Sequence, residues 1–232
     1  MQITIFGANG PTGRLLTRRA VEAGHHVTAV TRNPDTFPIN RAGVTVVGAD
    51  AYDADAVSRA VRGSDAVLST LGVPFSRRPI TVYSQGTANI VEAMHAHGVK
   101  RLVVVSSSAT EPHVHADGGF LLNRVLQPLI VATIGKTTYA DMSRMETLLR
   151  DSDLAWTVMR PSGLFDVPEA TAYRLDENAA PGVYTARVDL AASMLDQLTD
   201  DRFVGRIAAV TTTAVKPTLW SLIRTEAMKN QR

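Results

Sequence analysis

Along this chain, short apolar runs rich in β-branched residues alternate with stretches of helical spacing. The runs are "ITIF", "HVTAVT", "VTVVG", "AVLSTL", "RLVVVSS", "AWTVMRP" and "RIAAVTT". Between them the pattern predicts helices over residues 11–23, with Pro11 at the start and Gly24 past the end, over 53–61, followed by Gly63, and over 84–96, stopping at Gly98. From Tyr139, apolar positions recur at Met142, Met145 and Leu149, a core-facing stripe that ends near Asp151. Strands alternating with helices predict an α/β fold with a doubly wound parallel sheet covered on both faces and right-handed crossovers.

Two regions break this rhythm. Residues 109–135 begin polar and continue into the apolar "FLLNRVLQPLIVATI". A long connection beyond the strand that ends at Ser106 reads as a lid or acceptor loop, because doubly wound sheets bind ligands at that edge. Residues 161–232 read as a small C-terminal elaboration on the substrate side. They end in "TLWSLIRTEAMKNQ", an amphipathic helix carrying Trp220, expected to dock on the domain rather than on a membrane.

Composition narrows the chemistry. With 232 residues, 45% of them hydrophobic, the chain is long enough for a full core, and a single domain over 1–232 is expected. Cysteine is absent, which excludes disulfides, thiol catalysis and Cys-based metal sites. The strand pattern starts at Gln2, leaving no room for a leader, and the most apolar stretch is interrupted by Asn123, Arg124, Gln127 and Pro128. A soluble cytoplasmic protein is therefore expected. The formal charge is +2 with no run of Lys or Arg, which disfavours nucleic acid and leaves a small molecule as the expected partner, handled by a monomer or homodimer. In "EPHVHAD", His113, His115 and Asp117 could share a face, but no third histidine or fixed scaffold accompanies them, and no metal is expected. His25, His26, His95 and His97 flank helix ends, where solvated histidines are common.

The stretch "ITIFGANGPTGR" carries the most specific signal. Gly7, Gly10 and Gly13 follow a strand and open a helix, with Asn9, Pro11 and Thr12 between them. Such a turn aims backbone N–H groups and the positive helix end at one spot, a seat for pyrophosphate. Arg14 stands in the first helical turn, where a cation opposes the helix dipole by roughly 0.3 to 1 kcal/mol, which suggests a nearby anion. At the end of the second strand, where an acidic residue would accept from the ribose hydroxyls of NAD, "VTRNP" places Arg32. A guanidinium there suits a 2′-phosphate, with Arg14 sharing the load, so NADP(H) is the expected cofactor. Asp50 in "VVGAD", and Leu71 and Gly72 in "STLGV", end the next two strands on the adenosine side. Asp50 has a second reading, as a cap for the helix beginning near Asp53.

Taken with "QGTANIVEAMHAHGVKRLVVVSSSA", "RMETLLRDSDLAWTVMRPSGL" and "ARVDLA", these motifs make the chain resemble the atypical, NmrA-like branch of the short-chain dehydrogenase superfamily, and most closely its biliverdin reductase B and NADPH-dependent flavin reductase group. The resemblance spans nearly the whole chain and implies a Rossmann fold. It implies that the glycine loop, Arg32, Asp50, Leu71 and Gly72 bind NADP(H). Ser106 and Ser107 would then lie beside the nicotinamide, with Ser107 matching the serine of the reductases, and Pro161, Ser162 and Gly163 would contact the carboxamide side. The chain also departs from the superfamily. No tyrosine has a lysine four residues on; Tyr139 has Ser143 there, and Met142 stands where related reductases carry a lysine or histidine. Without that proton donor, hydride transfer to a flavin or another flat conjugated acceptor such as a quinone or tetrapyrrole is expected. The alternative is a non-catalytic NADP(H)-sensing regulator that binds a protein partner. A sugar-nucleotide epimerase is disfavoured by the same missing pair.

Overall fold

The computed structural model describes residues 1–76, 78–111 and 135–215. Strand β1 (Gln2–Phe6) is buried from its second residue onward and takes an interior place in the sheet. From it α1 (Pro11–Glu22) crosses to β2 (His26–Thr31), and β3 (Val44–Gly48) adds outside β2. Helix α2 (Ala54–Val61) returns the chain to β4 (Ala66–Ser69) on the other side of β1. Then α3 (Val82–His97), β5 (Arg101–Val105), α4 (Lys136–Arg150) and β6 (Ala155–Pro161) extend that half.

The remaining elements form the C-terminal elaboration: β7 (Gly163–Phe165), β8 (Tyr173–Glu177), β9 (Tyr184–Ala186), α5 (Arg187–Asp196) and β10 (Arg206–Thr212). The sheet order is β3-β2-β1-β4-β5-β6-β10-β8, parallel throughout except for β8, while β7 and β9 form a separate two-stranded pair. The order reverses between β1 and β4, which opens a crevice at the C-terminal ends of those two strands.

Two apolar layers clamp the sheet. On one face α2, α3 and α4 pack Val57, Ile90, Met94, Met145 and Leu149 against Leu102, Val104 and Val158. On the other, α1 and α5 bring Leu16, Ala20, Leu190 and Met194 onto Ile3, Ile5, Val103 and Met159. Among the described residues the expected cover on both faces thins at the edge, where β3 leaves Thr45 and Val46 exposed.

Local chemistry explains most helix ends. Pro11 occupies the first turn of α1, and Asp53 caps α2 by accepting the Ala56 N–H at 3.0 Å. Helix α3 stops at Gly98, which adopts a left-handed conformation (φ 71°) that side chains avoid. The start of α3 differs from the sequence expectation. Its capping residue Thr81 makes no side-chain bond to the helix; instead Asp141 of α4, fully buried, accepts the Tyr83 N–H at 2.9 Å and the Ser84 hydroxyl. The cap lies 58 residues away, and the helix begins two residues earlier than its local pattern suggests. Among the described residues no helix is long and apolar enough to cross a membrane. The centre of the expected lid, with His113, His115 and Asp117, and the tail with Trp220 lie outside the described residues.

Candidate functional site

The glycine turn lies at the mouth of the crevice. Gly7 adopts φ 72°, and a Cβ there would stand 2.6 Å from the carbonyl oxygen of Thr70, so only glycine lets β1 and the segment after β4 approach this closely. Thr70 locks the approach by donating its hydroxyl to the carbonyls of Phe6 at 3.0 Å and Gly7 at 3.2 Å. A Cβ on Gly13 would overlap the Gly7 carbonyl and come within 2.8 Å of the Ala8 Cα. The Gly10 N–H donates back to Gly7 at 3.0 Å, closing the turn, and Gly10 supplies no side-chain cap to α1. Helix geometry leaves the first-turn N–H groups of Thr12 and Gly13 without intrahelical partners. The result is a cradle whose glycines leave the backbone bare, with N–H donors at a positive helix end, which fits the pyrophosphate of a dinucleotide. Asn9 ties the rim together, accepting from Arg14 Nε at 3.0 Å and donating to Thr36 at 3.1 Å.

Arg32 follows β2 directly and is exposed, with no hydrogen bond or ion pair among the described residues. It borders a cleft of about 380 Å³ whose walls include the Gly48 and Ala49 backbone, Asp50, Asp53, Ala56 and Arg59. Asp50 accepts the Tyr52 N–H at 3.1 Å and does not cap α2; Asp53 does. The capping reading of Asp50 is thereby corrected. Arg59 was not singled out in the sequence, where it reads as one more polar residue on an amphipathic helix.

On the opposite flank Leu71 and Gly72 follow β4. Behind them stands the buried Tyr83, whose hydroxyl accepts the Val73 N–H at 3.4 Å. Ser106 and Ser107 follow β5, and the two hydroxyls do different work. Ser106 is 2% exposed and donates to Glu146 Oε1 at 2.7 Å, while the half-buried Ser107 accepts the Ala109 N–H at 3.2 Å. Ser107 therefore satisfies the backbone at a strand end and still stands at the rim.

Glu146 was not recognised from sequence as a site component. It is 2% exposed and receives Arg160 through Nε at 3.0 Å and Nη2 at 2.6 Å; Arg160 in turn reaches Glu111 at 2.9 Å. Burial lowers the pKa of Arg160, but the two carboxylates outweigh it and raise the guanidinium above its ordinary value. Pro161 ends β6, and the turn beyond it is pinned from the side: Ser162 N–H donates to Thr185 at 3.0 Å, Ser162 Oγ to the Gly182 carbonyl at 3.1 Å, and Gly163 N–H to the Val183 carbonyl at 3.0 Å.

The α4 positions singled out in the sequence are otherwise engaged. Met142 is 8% exposed in the core. Ser143 donates to the Tyr139 carbonyl at 3.0 Å, a bond to its own helix. Tyr139 packs edge-on against Phe75, and burial, aided by the neighbouring Tyr83, pushes its phenol above the usual tyrosine range. Among the described residues no cation lowers it in the way a lysine would. Among the described residues no group of three or more metal-binding side chains converges.

The sequence profile of the NAD(P)H-binding family matches residues 7–201. An uncharacterized sugar epimerase of Bacillus subtilis is 27% identical over 208 residues, covering 85% of this chain and 88% of that protein. A 2-alkyl-3-oxoalkanoate reductase of Stenotrophomonas maltophilia is 31% identical over 167 residues, covering 69% of this chain and 50% of that protein. An uncharacterized Mycobacterium tuberculosis protein is 36% identical over 115 residues, a match that covers 49% of this chain but spans only 13% of that protein's length. Among solved structures, a short-chain dehydrogenase/reductase from Veillonella parvula in complex with NADP superposes with a TM-score of 0.77, covering 94% of this chain and 99% of that one at 22% identity, a likeness of fold. The resemblance to short-chain dehydrogenases thus holds at the level of the fold and the dinucleotide, while the narrower biliverdin reductase B grouping is not among these findings. With the cradle at its N-terminus and the profile spanning most of its length, the chain belongs to the NAD(P)H-binding family.

Proposed function

We propose that this protein is an NADPH-dependent oxidoreductase that reduces a flat conjugated acceptor, a flavin being the representative case. The observation that carries the reading lies on α4, where Met142 is in the core, Ser143 is bonded to its own helix, and burial raises the Tyr139 phenol above the usual tyrosine range, which makes it a weaker acid. An acceptor that spreads the incoming charge over a conjugated ring and takes its proton from water needs no such donor. Relatives named as an epimerase and an oxoalkanoate reductase do not change this, because chemistry at an isolated carbonyl or alcohol calls for a proton donor.

Bound NADPH supplies a hydride. The chain's residues hold it and order its surroundings. The cradle at Gly7, Asn9, Gly10, Pro11, Thr12 and Gly13 takes the pyrophosphate, and Arg32, with Arg14 behind it, takes the 2′-phosphate. Asp50 accepts from the adenine side, with Leu71 and Gly72 walling the opposite flank. Ser107 orients the polar edge of the reacting pair, Ser106 anchors the strand end through Glu146, and the turn of Pro161, Ser162 and Gly163 limits the far side. Catalysis then rests on positioning.

The test is steady-state NADPH oxidation with FMN, FAD, riboflavin and simple quinones. Turnover with at least one is expected. No turnover with any of them, together with tight binding of both NADP⁺ and NADPH, would refute the enzyme reading in favour of a redox-sensing regulator.

A further inference from the structure

We infer that Arg59 is a second cationic arm of the 2′-phosphate site, completing with Arg32 a two-sided clamp that sets the preference for NADPH over NADH. The inference rests on the proposed use of NADPH and adds a residue that neither the glycine motif nor the end of β2 points to.

Its basis is the cleft beside β2 and β3. Of the four charged side chains on its walls, the two carboxylates are engaged: Asp50 accepts the Tyr52 N–H and Asp53 accepts the Ala56 N–H. The two guanidiniums, on Arg32 and Arg59, have no hydrogen bond or ion pair among the described residues, although both border the same cleft as the acids. Arg59 also leaves unused the partner its helix offers. Asp55 lies four residues earlier on α2, the spacing at which an acid and an arginine ordinarily pair, yet no ion pair forms between them. Ala56, one turn before Arg59 on the same face, supplies the apolar floor. A cleft with two uncommitted forks, one from a strand end and one from a helix, suits a dianionic phosphate monoester, which can receive N–H groups from two directions.

Arg59 is exposed on the last turn of α2, so its replacement spares the core. Arg62, exposed just past the end of the same helix and absent from the cleft walls, controls for the general field of an added or lost charge. The experiment is calorimetric binding of 2′,5′-ADP and of 5′-AMP, which lacks only the 2′-phosphate, to the whole protein and to the variants R32Q, R59Q and R62Q. Expected for the unaltered protein is 2′,5′-ADP binding at least about tenfold tighter than 5′-AMP. R59Q should weaken 2′,5′-ADP by about tenfold and leave 5′-AMP within about twofold, and R62Q should change neither. Equal losses on both ligands, no loss in R59Q beside a selective loss in R32Q, or the same selective loss in R62Q would each overturn the role of Arg59 while leaving the NADPH reading intact. An unaltered protein that does not prefer 2′,5′-ADP would overturn both.

Discussion

Replacing Gly13 by alanine tests whether the cradle is what holds the cofactor. Within a helix this exchange ordinarily gains about 1 kcal/mol, because alanine gives up less backbone entropy. Here the new methyl group would overlap the Gly7 carbonyl oxygen and crowd the Ala8 Cα, both backbone atoms that cannot rotate away. Overpacking of that kind costs up to about 3 kcal/mol, so the net expectation is a loss of about 2 kcal/mol, with a melting temperature lower by about 4 to 8 °C for a chain of this size. Relief requires α1 to move off the turn, which carries the Thr12 and Gly13 N–H groups away from the pyrophosphate. Losing one charge-assisted contact of about 1.5 to 3 kcal/mol weakens binding about ten- to hundredfold. The pyrophosphate is common to both nucleotides, so NADH and NADPH should lose equally. Thermal unfolding and calorimetric titration with each nucleotide measure the two effects. A variant that melts higher than the parent and binds as before would refute the reasoning, because it would mean that the close packing of α1 on the turn has no role.

Arg32→Ala should weaken NADPH about ten- to hundredfold more than NADH, and Arg14→Ala should act in the same direction but less, as its guanidinium is already shared with Asn9; competitive titration of the two nucleotides checks this. Glu146→Gln leaves the buried Arg160 short of a charge partner and should cost about 3 to 5 kcal/mol in urea unfolding, with most of it recovered by the double change Glu146→Leu, Arg160→Met; a single variant within about 1 kcal/mol of the parent contradicts the network. Burial holds the phenols of Tyr83 and Tyr139 above the ordinary value of 10, so their contribution is fully present below pH 10 and is lost as the pH rises through their folded pKa values; Tyr139→Phe should make unfolding less sensitive to alkali, and an unchanged alkaline profile would count against it. Ser107→Ala should slow single-turnover NADPH oxidation about two- to tenfold and Tyr139→Phe hardly at all, whereas a thousandfold loss in Tyr139→Phe would restore a tyrosine-based mechanism.

The long parallel strands were legible because their apolar runs need no partner to be recognised: β2, β3, β6 and β10 coincide with "HVTAVT", "VTVVG", "AWTVMRP" and "RIAAVTT". Apart from β10 and the tail, which lies outside the described residues, the C-terminal elaboration was not resolved into elements. β7 and β9 have three residues each, and β8, "YRLDE", is polar enough to pass for a loop until β10 lies beside it. The glycine turn was legible because its reason is local, the absence of side chains. Which hydroxyl of Ser106 and Ser107 turns inward was not, because the answer is Glu146, forty residues from Ser106 and written in the sequence as an ordinary helix acid. The same holds for Arg59, whose cleft exists only once α2 lies beside the ends of β2 and β3.

Among the described residues three carboxylates are buried, Asp141, Glu146 and Asp189, and all three do their work near the C-terminal edge of the sheet. Asp141 caps the start of α3, the element that follows β4 and the loop with Leu71 and Gly72. Glu146 fastens Ser106 after β5 to Arg160 near the end of β6. Asp189 accepts the Thr171 N–H at 2.7 Å and the Thr212 hydroxyl at 2.6 Å, joining the end of β10 to the segment that leads into β8. Burying a carboxylate is costly unless its lone pairs find donors, and here each one finds donors on segments that follow or lead into strands of the sheet. Where loops are tied this firmly, the groups they carry keep their places without a ligand to order them. An enzyme that moves a hydride without a dedicated acid depends on that property above others, since alignment of donor and acceptor is then the main contribution the protein can make.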